Sequence, residues 1–255
     1  MSEEKKQEQE QEQEQKQEQD QPQQAEATAS TPEEKVADRK ALNRKNCRSG
    51  LYRVVHAIFV WPVRLFARIR VKGKENEPRR GEGSYLVICN HLTWFDPILL
   101  CAALSQQQPH FMAKKELFRV PVFGQMIRAL GAYPVDRGGA DVGAIRRTIH
   151  MLENGVTVGM FPQGHRHNGE DPRKTQVKPG AAMIALRAGV PVLPVYIKVK
   201  DNTVKSFRKK TVIIGKPVTV EEMQYDPHRE GEFRRITDML FERVCALGDE
   251  APDGR

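Results

Sequence analysis

The chain has 255 residues, of which 39% are hydrophobic, so it can bury one sizeable core. Residues 1–34 lie outside that core: they hold ten glutamines and eleven acidic residues against three lysines, with no aromatic residue and no valine, leucine or isoleucine. Such a tail cannot bury enough apolar surface to offset its ordering entropy, and we predict that it is disordered. Its net charge is −8 and that of the whole chain is +8, so residues 35–255 carry +16. This charge excludes an acidic domain and favours an anionic partner.

Nucleic acid, an anionic membrane face and a phosphorylated substrate are the three partners that this charge allows. Nucleic acid is the least favoured, because the lysines and arginines are scattered and no helix-turn-helix, zinc-finger or RNA-binding signature occurs. We therefore predict no nucleic-acid partner.

Residues 51–70, LYRVVHAIFVWPVRLFARIR, are apolar with interspersed arginines. Their longest run without a charged residue, 54–63, is far shorter than the ~20 residues that span a bilayer. We predict that residues 35–72 form a helical segment at the membrane surface, with arginines on lipid phosphates. A buried core helix kinked at Pro62 is the alternative. No signal peptide is evident, so we expect a cytoplasmic protein, peripheral or monotopic on the inner membrane face.

The four cysteines, Cys47, Cys89, Cys101 and Cys245, show no CxxC spacing. We expect buried, reduced thiols, in agreement with a cytoplasmic location.

Strands and helices alternate through the rest of the chain, which predicts a single α/β domain over 73–255, a mostly parallel sheet flanked by helices. The predicted strands are 85–89, 111–113, 132–135, 157–161, 192–197 and 211–214. The predicted helices are 97–104, 121–130, 142–153, 181–188 and 231–247.

Polar clusters follow three of these strands, and parallel sheets gather their ligands at the carboxyl ends of strands. Asn90-His91 follows the first strand, Asp136-Arg137 follows another, and residues 163–166 (QGHR) follow a third. If these strands are neighbours, the three clusters meet in one crevice. Each also has a structural interpretation, such as Arg137 as a solvated loop charge.

His91 and Asp96 are five residues apart and would not face each other on a regular helix. Across a strand-to-helix turn, Asp96 can accept a hydrogen bond from one imidazole nitrogen and leave the other as a general base. No GxSxG motif supplies a nucleophile, so such a base must activate a substrate group such as an alcohol. The alternative is that Asp96, which precedes Pro97, is only a helix N-cap.

Several blocks resemble, in order, those of the glycerolipid acyltransferases of the lysophosphatidic acid acyltransferase type. They are NHLTWFDP (90–97), similar to NHxxxxD; GAYPVDR (131–137); FPQGHRH (161–167), where the family has FPEGTRS; VKPGAA (177–182); and VPVLPV (190–195). The resemblance implies the fold of that family and transfer of an acyl group from acyl-CoA or acyl carrier protein to lysophosphatidic acid, giving phosphatidic acid.

The resemblance also implies roles for individual residues. His91 is the expected base and Asp96 its partner, with no covalent acyl-enzyme and no cofactor. The residues expected to bind the acceptor's phosphate are Arg137, Gly164, Arg166 and Lys178. Asn90, Gln163 and His165 are expected to support the site or to contact substrate.

The third block departs from the family, because Gln163 replaces the usual glutamate and His165 the usual threonine. This leaves the acceptor open: another lysophospholipid or glycerol 3-phosphate is an alternative, as is a non-catalytic lipid-binding protein or a thioesterase. A zinc site formed by His91, His165 and His167 is disfavoured, since no acidic or cysteine ligand is evident nearby, and no metal is expected.

Overall fold

The computed structural model describes residues 32–46, 50–60, 68–135, 142–204 and 209–249. The chain divides into two compact units, residues 1–38 and 39–255. In the first unit only residues 32–38 are described, and they form the start of a helix. Nearly all of the predicted tail, and Cys47, lie outside the described residues.

From residue 86 to residue 198 the described strands and helices alternate along the chain, as predicted. The helices are α1 (Pro32–Asn46), α2 (Gly50–Val55, continued by a π-helical turn, His56–Val60), α3 (Asp96–Ala103), α4 (Phe123–Ala129), α5 (Val142–Glu153), α6 (Gly180–Ala188) and α7 (Glu232–Asp249). The strands are β1 (Ile69–Lys72), β2 (Leu86–Cys89), β3 (His110–Lys114), β4 (Ala132–Val135), β5 (Val158–Met160), β6 (Val192–Lys198) and β7 (Lys210–Ile214).

The seven strands form one sheet in the order β1-β7-β6-β2-β5-β3-β4. Five neighbouring strands, from β6 to β4, are mutually parallel, whereas β7 runs antiparallel to β6 and β1 runs parallel to β7. Every residue of β2 is buried, as expected for a strand covered on both faces. The predicted fold, a mostly parallel sheet flanked by helices, is confirmed.

Alternate residues of β2 supply two separate cores, one on each face of the sheet. Leu86 and Ile88 pack with buried residues of α5, α6 and α7. Val87 and Cys89 pack with buried residues of α2, its π-helical turn and α3. The catalytic candidates follow β2, so both cores fix the position from which they start.

The part of α1 that belongs to the second unit docks at the amino-terminal ends of the strands. The Asn43 amide donates to Gln107 Oε1 at 2.8 Å and to the Gly155 carbonyl at 2.7 Å, and its Oδ1 accepts from Gly81 N at 2.8 Å. Gly155 has a φ of +76°, and a Cβ there would collide with Asn43 N, so a side chain would displace this part of α1. This contact therefore lies at the end of the strands opposite the candidate site.

The structure corrects one part of the predicted N-terminal segment. Residues 69–72 were assigned to the helical segment 35–72 but form β1, which pairs with β7 from Ile69↔Lys210 to Lys72↔Ile213. Their sequence, IRVK, alternates apolar and basic residues, and Ile69 is buried while Arg70 is exposed. That alternation is typical of an edge strand, and the preceding run of apolar residues concealed it. Residues 61–67, which include Pro62, lie outside the described part of the chain.

Candidate active site

The carboxyl ends of β2 and β5 form the centre of the site, because the two strands are direct neighbours in parallel register. The loops that follow them are joined by two hydrogen bonds: His91 N donates to Gln163 Oε1 at 2.6 Å, and His167 N donates to the His91 carbonyl at 2.8 Å. The His91 ring stacks on Phe161, with centroids 4.0 Å apart. Two of the three predicted clusters therefore meet, and the imidazole is held from its backbone and from one ring face.

Asp96 forms the hydrogen bond with His91 that the spacing predicted. Asp96 Oδ2 lies 2.8 Å from His91 Nδ1, and the carboxylate is fully buried while the imidazole is 13% exposed. The other bonds of the carboxylate also go back to the turn: Oδ2 accepts from Leu92 N at 2.6 Å and Thr93 N at 2.8 Å, and Oδ1 accepts from Thr93 Oγ1 at 2.9 Å. An anionic acceptor at Nδ1 selects the tautomer protonated there, which leaves the lone pair on Nε2.

The interpretation of Asp96 as an N-cap is wrong. Asp96 is the first residue of α3, and the N-cap position is occupied by Phe95, which has no side-chain cap. The carboxylate points back to the strand-to-helix turn, while Pro97 is the second residue of the helix, where its nitrogen needs no partner. Asp96 therefore orders the turn that carries the histidine.

Asn90 is part of the framework that supports the site. Its side chain is completely buried, donates to the Ile197 carbonyl at 3.1 Å and accepts from Ile197 N at 2.8 Å. These two bonds extend the pairing of β2 with β6 by one residue beyond the strand. Because both the amide nitrogen and the amide oxygen bond to β6, the backbone that carries His91 starts from a fixed position.

Gln163 joins the loop after β2 to a second loop. Its Oε1 accepts from His91 N, and its Nε2 donates to Thr175 Oγ1 at 2.7 Å. Thr175 Oγ1 in turn donates to the Pro172 carbonyl at 2.6 Å, so its single proton is already used. An ionised glutamate at position 163 has no N–H to donate to Thr175 Oγ1. Glutamine can both accept from His91 N and donate to Thr175, so it satisfies both partners.

Gly164 and Lys178, which are both expected to bind the acceptor's phosphate, lie next to each other. Gly164 has a φ of +73°, and a Cβ at this position would lie 3.0 Å from Lys178 Cε. The Lys178 backbone N donates to the Pro162 carbonyl at 2.8 Å, which holds the lysine beside this turn. Glycine is needed here for both its backbone conformation and the space that the lysine side chain occupies.

Arg166 and His165 are both exposed on the same loop. Arg166 and His91 line the same cavity, so a guanidinium and the candidate base face one space. Among the described residues, none forms a hydrogen bond or ion pair with the His165 side chain that identifies a role for it. His167 Nδ1 lies 2.9 Å from Glu170 Oε2. In the described part of the chain, no cluster of three or more histidine, cysteine or acidic side chains is arranged to hold a metal.

Arg137 lies outside the described residues, so its predicted position remains a prediction. The strand before it, β4, ends at Val135, and β3 separates β4 from β5. The structure adds a cation that sequence reasoning missed: Lys114, the last residue of β3, lines the same cavity as His91. Its position at the carboxyl end of a parallel strand was the available signal.

A cavity of about 550 Å³ begins at His91 and is lined mainly by apolar side chains. It follows β3 from Lys114 at the carboxyl end to Phe111, and Phe111 pairs with Ala132 of β4. Three residues of a strand span roughly 10 Å, so the cavity reaches that far below the site. The polar lining residues His91, Lys114 and Arg166 all lie at or after the carboxyl ends of strands, whereas the rest of the lining is mainly apolar. This arrangement suits a ligand with a polar head and an apolar chain.

The buried thiols show no activation. Cys89, Cys101 and Cys245 are free and buried, which confirms the expectation for these three. Burial raises the pKa of the Cys101 thiol to about 12, and burial together with the nearby Asp96 carboxylate raises the pKa of Cys89 well above its usual value. Neither thiol is a nucleophile near neutral pH. The site thus offers a histidine base without a thiolate partner.

A mostly parallel α/β layer with a histidine-aspartate pair at the mouth of an apolar cavity fits the class of acyltransferases that activate a substrate hydroxyl. The family model described as Acyltransferase matches residues 68–198, more than half of the chain, and the chain belongs to that family.

The chain is similar to several acyltransferases, one of which has a crystal structure. The chain is 31% identical over 181 residues to the 1-acyl-sn-glycerol-3-phosphate acyltransferase of Bacillus subtilis (strain 168), covering 70% of this chain and 87% of that protein. It is 28% identical over 189 residues to the Escherichia coli (strain K12) protein of the same name, covering 71% and 75%. The crystal structure of the Thermotoga maritima 1-acyl-sn-glycerophosphate acyltransferase, PlsC, has a TM-score of 0.58 and 27% identity, covering 80% of each chain.

Proposed function

We propose that this acyltransferase moves an acyl group from acyl-CoA or acyl carrier protein to the free hydroxyl of 1-acyl-glycerol-3-phosphate, giving phosphatidic acid. The observation that carries the proposal is the 2.8 Å contact of His91 Nδ1 with the buried Asp96 carboxylate, at the entrance of an apolar cavity. The relatives named above support the choice of acceptor.

In the proposed reaction, His91 Nε2 takes the proton of the acceptor hydroxyl while its oxygen attacks the thioester carbonyl carbon. The new C–O bond forms, the C–S bond breaks, and the departing thiolate takes the proton back from the imidazolium. Asp96 stabilises the imidazolium that exists between these two transfers. No residue of the protein is acylated and no cofactor takes part.

The acceptor's phosphate binds to the cations beside the base. Arg166 offers a planar fork of donors, Lys178 a point charge next to Gly164, and Arg137 is proposed as a third cation from the loop after β4. Lys114 adds positive charge at the carboxyl end of β3. Holding the phosphate sets the distance of the hydroxyl from His91, and such positioning supplies much of the rate in a direct transfer.

The acyl chain occupies the cavity along β3, and the enzyme works at an anionic membrane face. The +16 charge of residues 35–255 and the exposed apolar side chains Val54 and Ile58 of the N-terminal segment support this location. We propose the inner, cytoplasmic face as the site of action. None of the helices in the described ranges is both long and apolar enough to cross a bilayer.

A non-catalytic lipid-binding role is the second candidate, favoured by the altered third block with Gln163 and His165. Release of free thiol from acyl-CoA and from acyl carrier protein, with and without lysophosphatidic acid, separates the candidates. Acceptor-dependent release with formation of phosphatidic acid is expected. Acceptor-independent release indicates a thioesterase. Binding of lysophosphatidic acid without any thiol release indicates the lipid-binding protein.

A further inference from the structure

The turn between β2 and α3 and the loop between β3 and α4 expose four apolar side chains, two of them at the mouth of the cavity. Trp94 is 61% exposed, Leu117 40%, Val120 47% and Val122 77%. Trp94 and Leu117 also line the cavity, so the exposed surface continues into its interior. We call these four residues the apolar rim.

The backbone of this loop holds Val122 outward in an uncommon conformation. Val122 has φ 62° and ψ −54°, and Phe123 N donates to the Pro121 carbonyl at 2.6 Å, which forms a γ-turn of the rare positive-φ type. A β-branched residue at positive φ is strained, and here the strain presents a valine to the exterior. Gly124 packs directly on the Phe118 backbone, where a Cβ would lie 2.5 Å from the carbonyl oxygen, and this close packing braces the turn.

Positive charge surrounds the apolar rim. Exposed basic residues occur before, within and after the loop, at Lys114, Lys115, Arg119 and Arg128, and Glu116 is the one acidic residue between positions 114 and 128. The Arg128 guanidinium lies 5.3 Å from the centre of the Phe118 ring, so its charge is kept beside the loop. Apolar side chains inside a cationic border are typical of a surface that enters the headgroup region of an anionic bilayer.

The N-terminal segment contacts the helix that follows the β3–α4 loop. Helix α2 packs on α4, the helix that follows the loop. Val54 on α2 is 55% exposed and Ile58 on the π-helical turn 59%. Exposed apolar side chains on two adjoining elements enlarge the surface that one bilayer can cover.

We infer that the apolar rim is a membrane-insertion surface, which enters an anionic lipid bilayer and joins the mouth of the acyl cavity to the lipid phase. A lipid chain then passes from the bilayer into the cavity without crossing water. The inference deepens the proposed function and rests on it, because an acceptor that resides in the bilayer is what makes such a junction useful.

Trp94 reports on this surface directly, since the chain has two tryptophans. In full-length Trp61→Phe protein, Trp94 is the sole emitter. On addition of vesicles of phosphatidylglycerol and phosphatidylcholine, its emission is expected to shift to the blue and to be quenched by brominated acyl chains. Emission that stays unshifted and unquenched while the protein sediments with the vesicles overturns the inference.

Substitutions in the loop test the same surface without touching the cavity lining. The double variant Val120→Asp, Val122→Asp is expected to bind the anionic vesicles about tenfold or more weakly, because apolar burial is lost and anionic lipid is repelled. Gln125→Glu is the matched control: it adds a charge at an exposed position of α4 without removing apolar surface, and it should bind within about twofold of wild type. Equal vesicle binding by the double variant and wild type contradicts the inference.

Acyl transfer to a short-chain, monomeric lysophosphatidic acid separates this inference from the proposed function. The double variant should keep its rate with the monomeric acceptor and lose it with acceptor embedded in vesicles. If a folded double variant loses both rates, the apolar rim belongs to catalysis instead. If its vesicle binding is unchanged and its self-association is altered, the apolar rim is a protein contact. Inactivity of wild type with the monomeric acceptor refutes the proposed function and leaves the tryptophan result to decide the insertion surface.

Discussion

Replacing Asp96 by asparagine tests how the carboxylate acts on His91. Three bonds converge on Oδ2, from His91 Nδ1, Leu92 N and Thr93 N, and Thr93 Oγ1 donates to Oδ1. An asparagine oxygen in the Oδ2 position keeps all three, and the Thr93 hydroxyl can rotate to accept from the new amide. The turn is therefore expected to fold in the variant.

The expected loss in rate comes from the charge. When His91 is protonated during transfer, the imidazolium and carboxylate charges lie about 4 Å apart, which is worth about 4 kcal/mol at an effective dielectric constant of about 20. Removing this attraction lowers the rate about 10³-fold, since each 1.36 kcal/mol is a factor of ten. The affinity for the acceptor's phosphate should change little, because the proposed phosphate residues are untouched.

The assay is steady-state acyl transfer with varied acceptor, together with thermal unfolding of each variant. A kcat that falls about 10³-fold with nearly constant KM and a melting temperature close to wild type is the expected result. Asp96→Asn with kcat within about tenfold of wild type refutes the charge-stabilisation account. A variant that unfolds, by contrast, shows that the four bonds to the turn need the carboxylate itself.

Three further substitutions probe the support, the phosphate cradle and the cavity. Gln163→Glu is expected to lower the free energy of unfolding in urea by about 1–3 kcal/mol, because a buried carboxylate cannot donate to Thr175; unchanged stability would show that the amide proton is dispensable. Gly164→Ala places a side chain on a residue with positive φ, at a cost of about 1–2 kcal/mol, and pushes that side chain against Lys178. KM for the acceptor should therefore rise several-fold, while kcat with saturating acceptor is largely kept. An unaltered KM would show that Gly164 and Lys178 do not bind the phosphate. Ala132→Phe fills the lower part of the cavity and is expected to shift transfer toward shorter acyl chains, whereas an unchanged chain-length profile places the chain elsewhere.

Sequence patterns predicted best those elements that have clear periodicity and clear ends. Helix α5 and strand β4 have the predicted boundaries, 142–153 and 132–135. Helix α4 begins at Phe123, two residues later than predicted, because Val122 adopts a positive φ that is incompatible with a helix. An apolar residue after a proline gives no sign of such a backbone conformation in the sequence. Strand β1 was missed because its four residues follow directly on the apolar run from residue 51, which concealed their alternation.

Within the site, spacing predicted the His91–Asp96 contact but not the other bonds of Asp96. The same residue before a proline is typical of an N-cap, and only the geometry of the turn shows that its carboxylate points backwards. The fit of Gln163 to Thr175 depends on a loop twelve residues farther along the chain, which no motif specifies. Long-range contacts of this kind follow from tertiary packing, so sequence reasoning recovered the chemistry of the site but not its support.

Acyl transfer to lysophosphatidic acid by wild type, His91→Ala and His167→Ala tests the central claim most directly. His167 is the matched control, because its imidazole lies on the neighbouring loop and contacts Glu170 instead of Asp96. We expect His91→Ala to lose about 10²–10⁴-fold in rate while folded, and His167→Ala to retain nearly all of the rate. A His91→Ala variant that still makes phosphatidic acid at the wild-type rate would contradict the account.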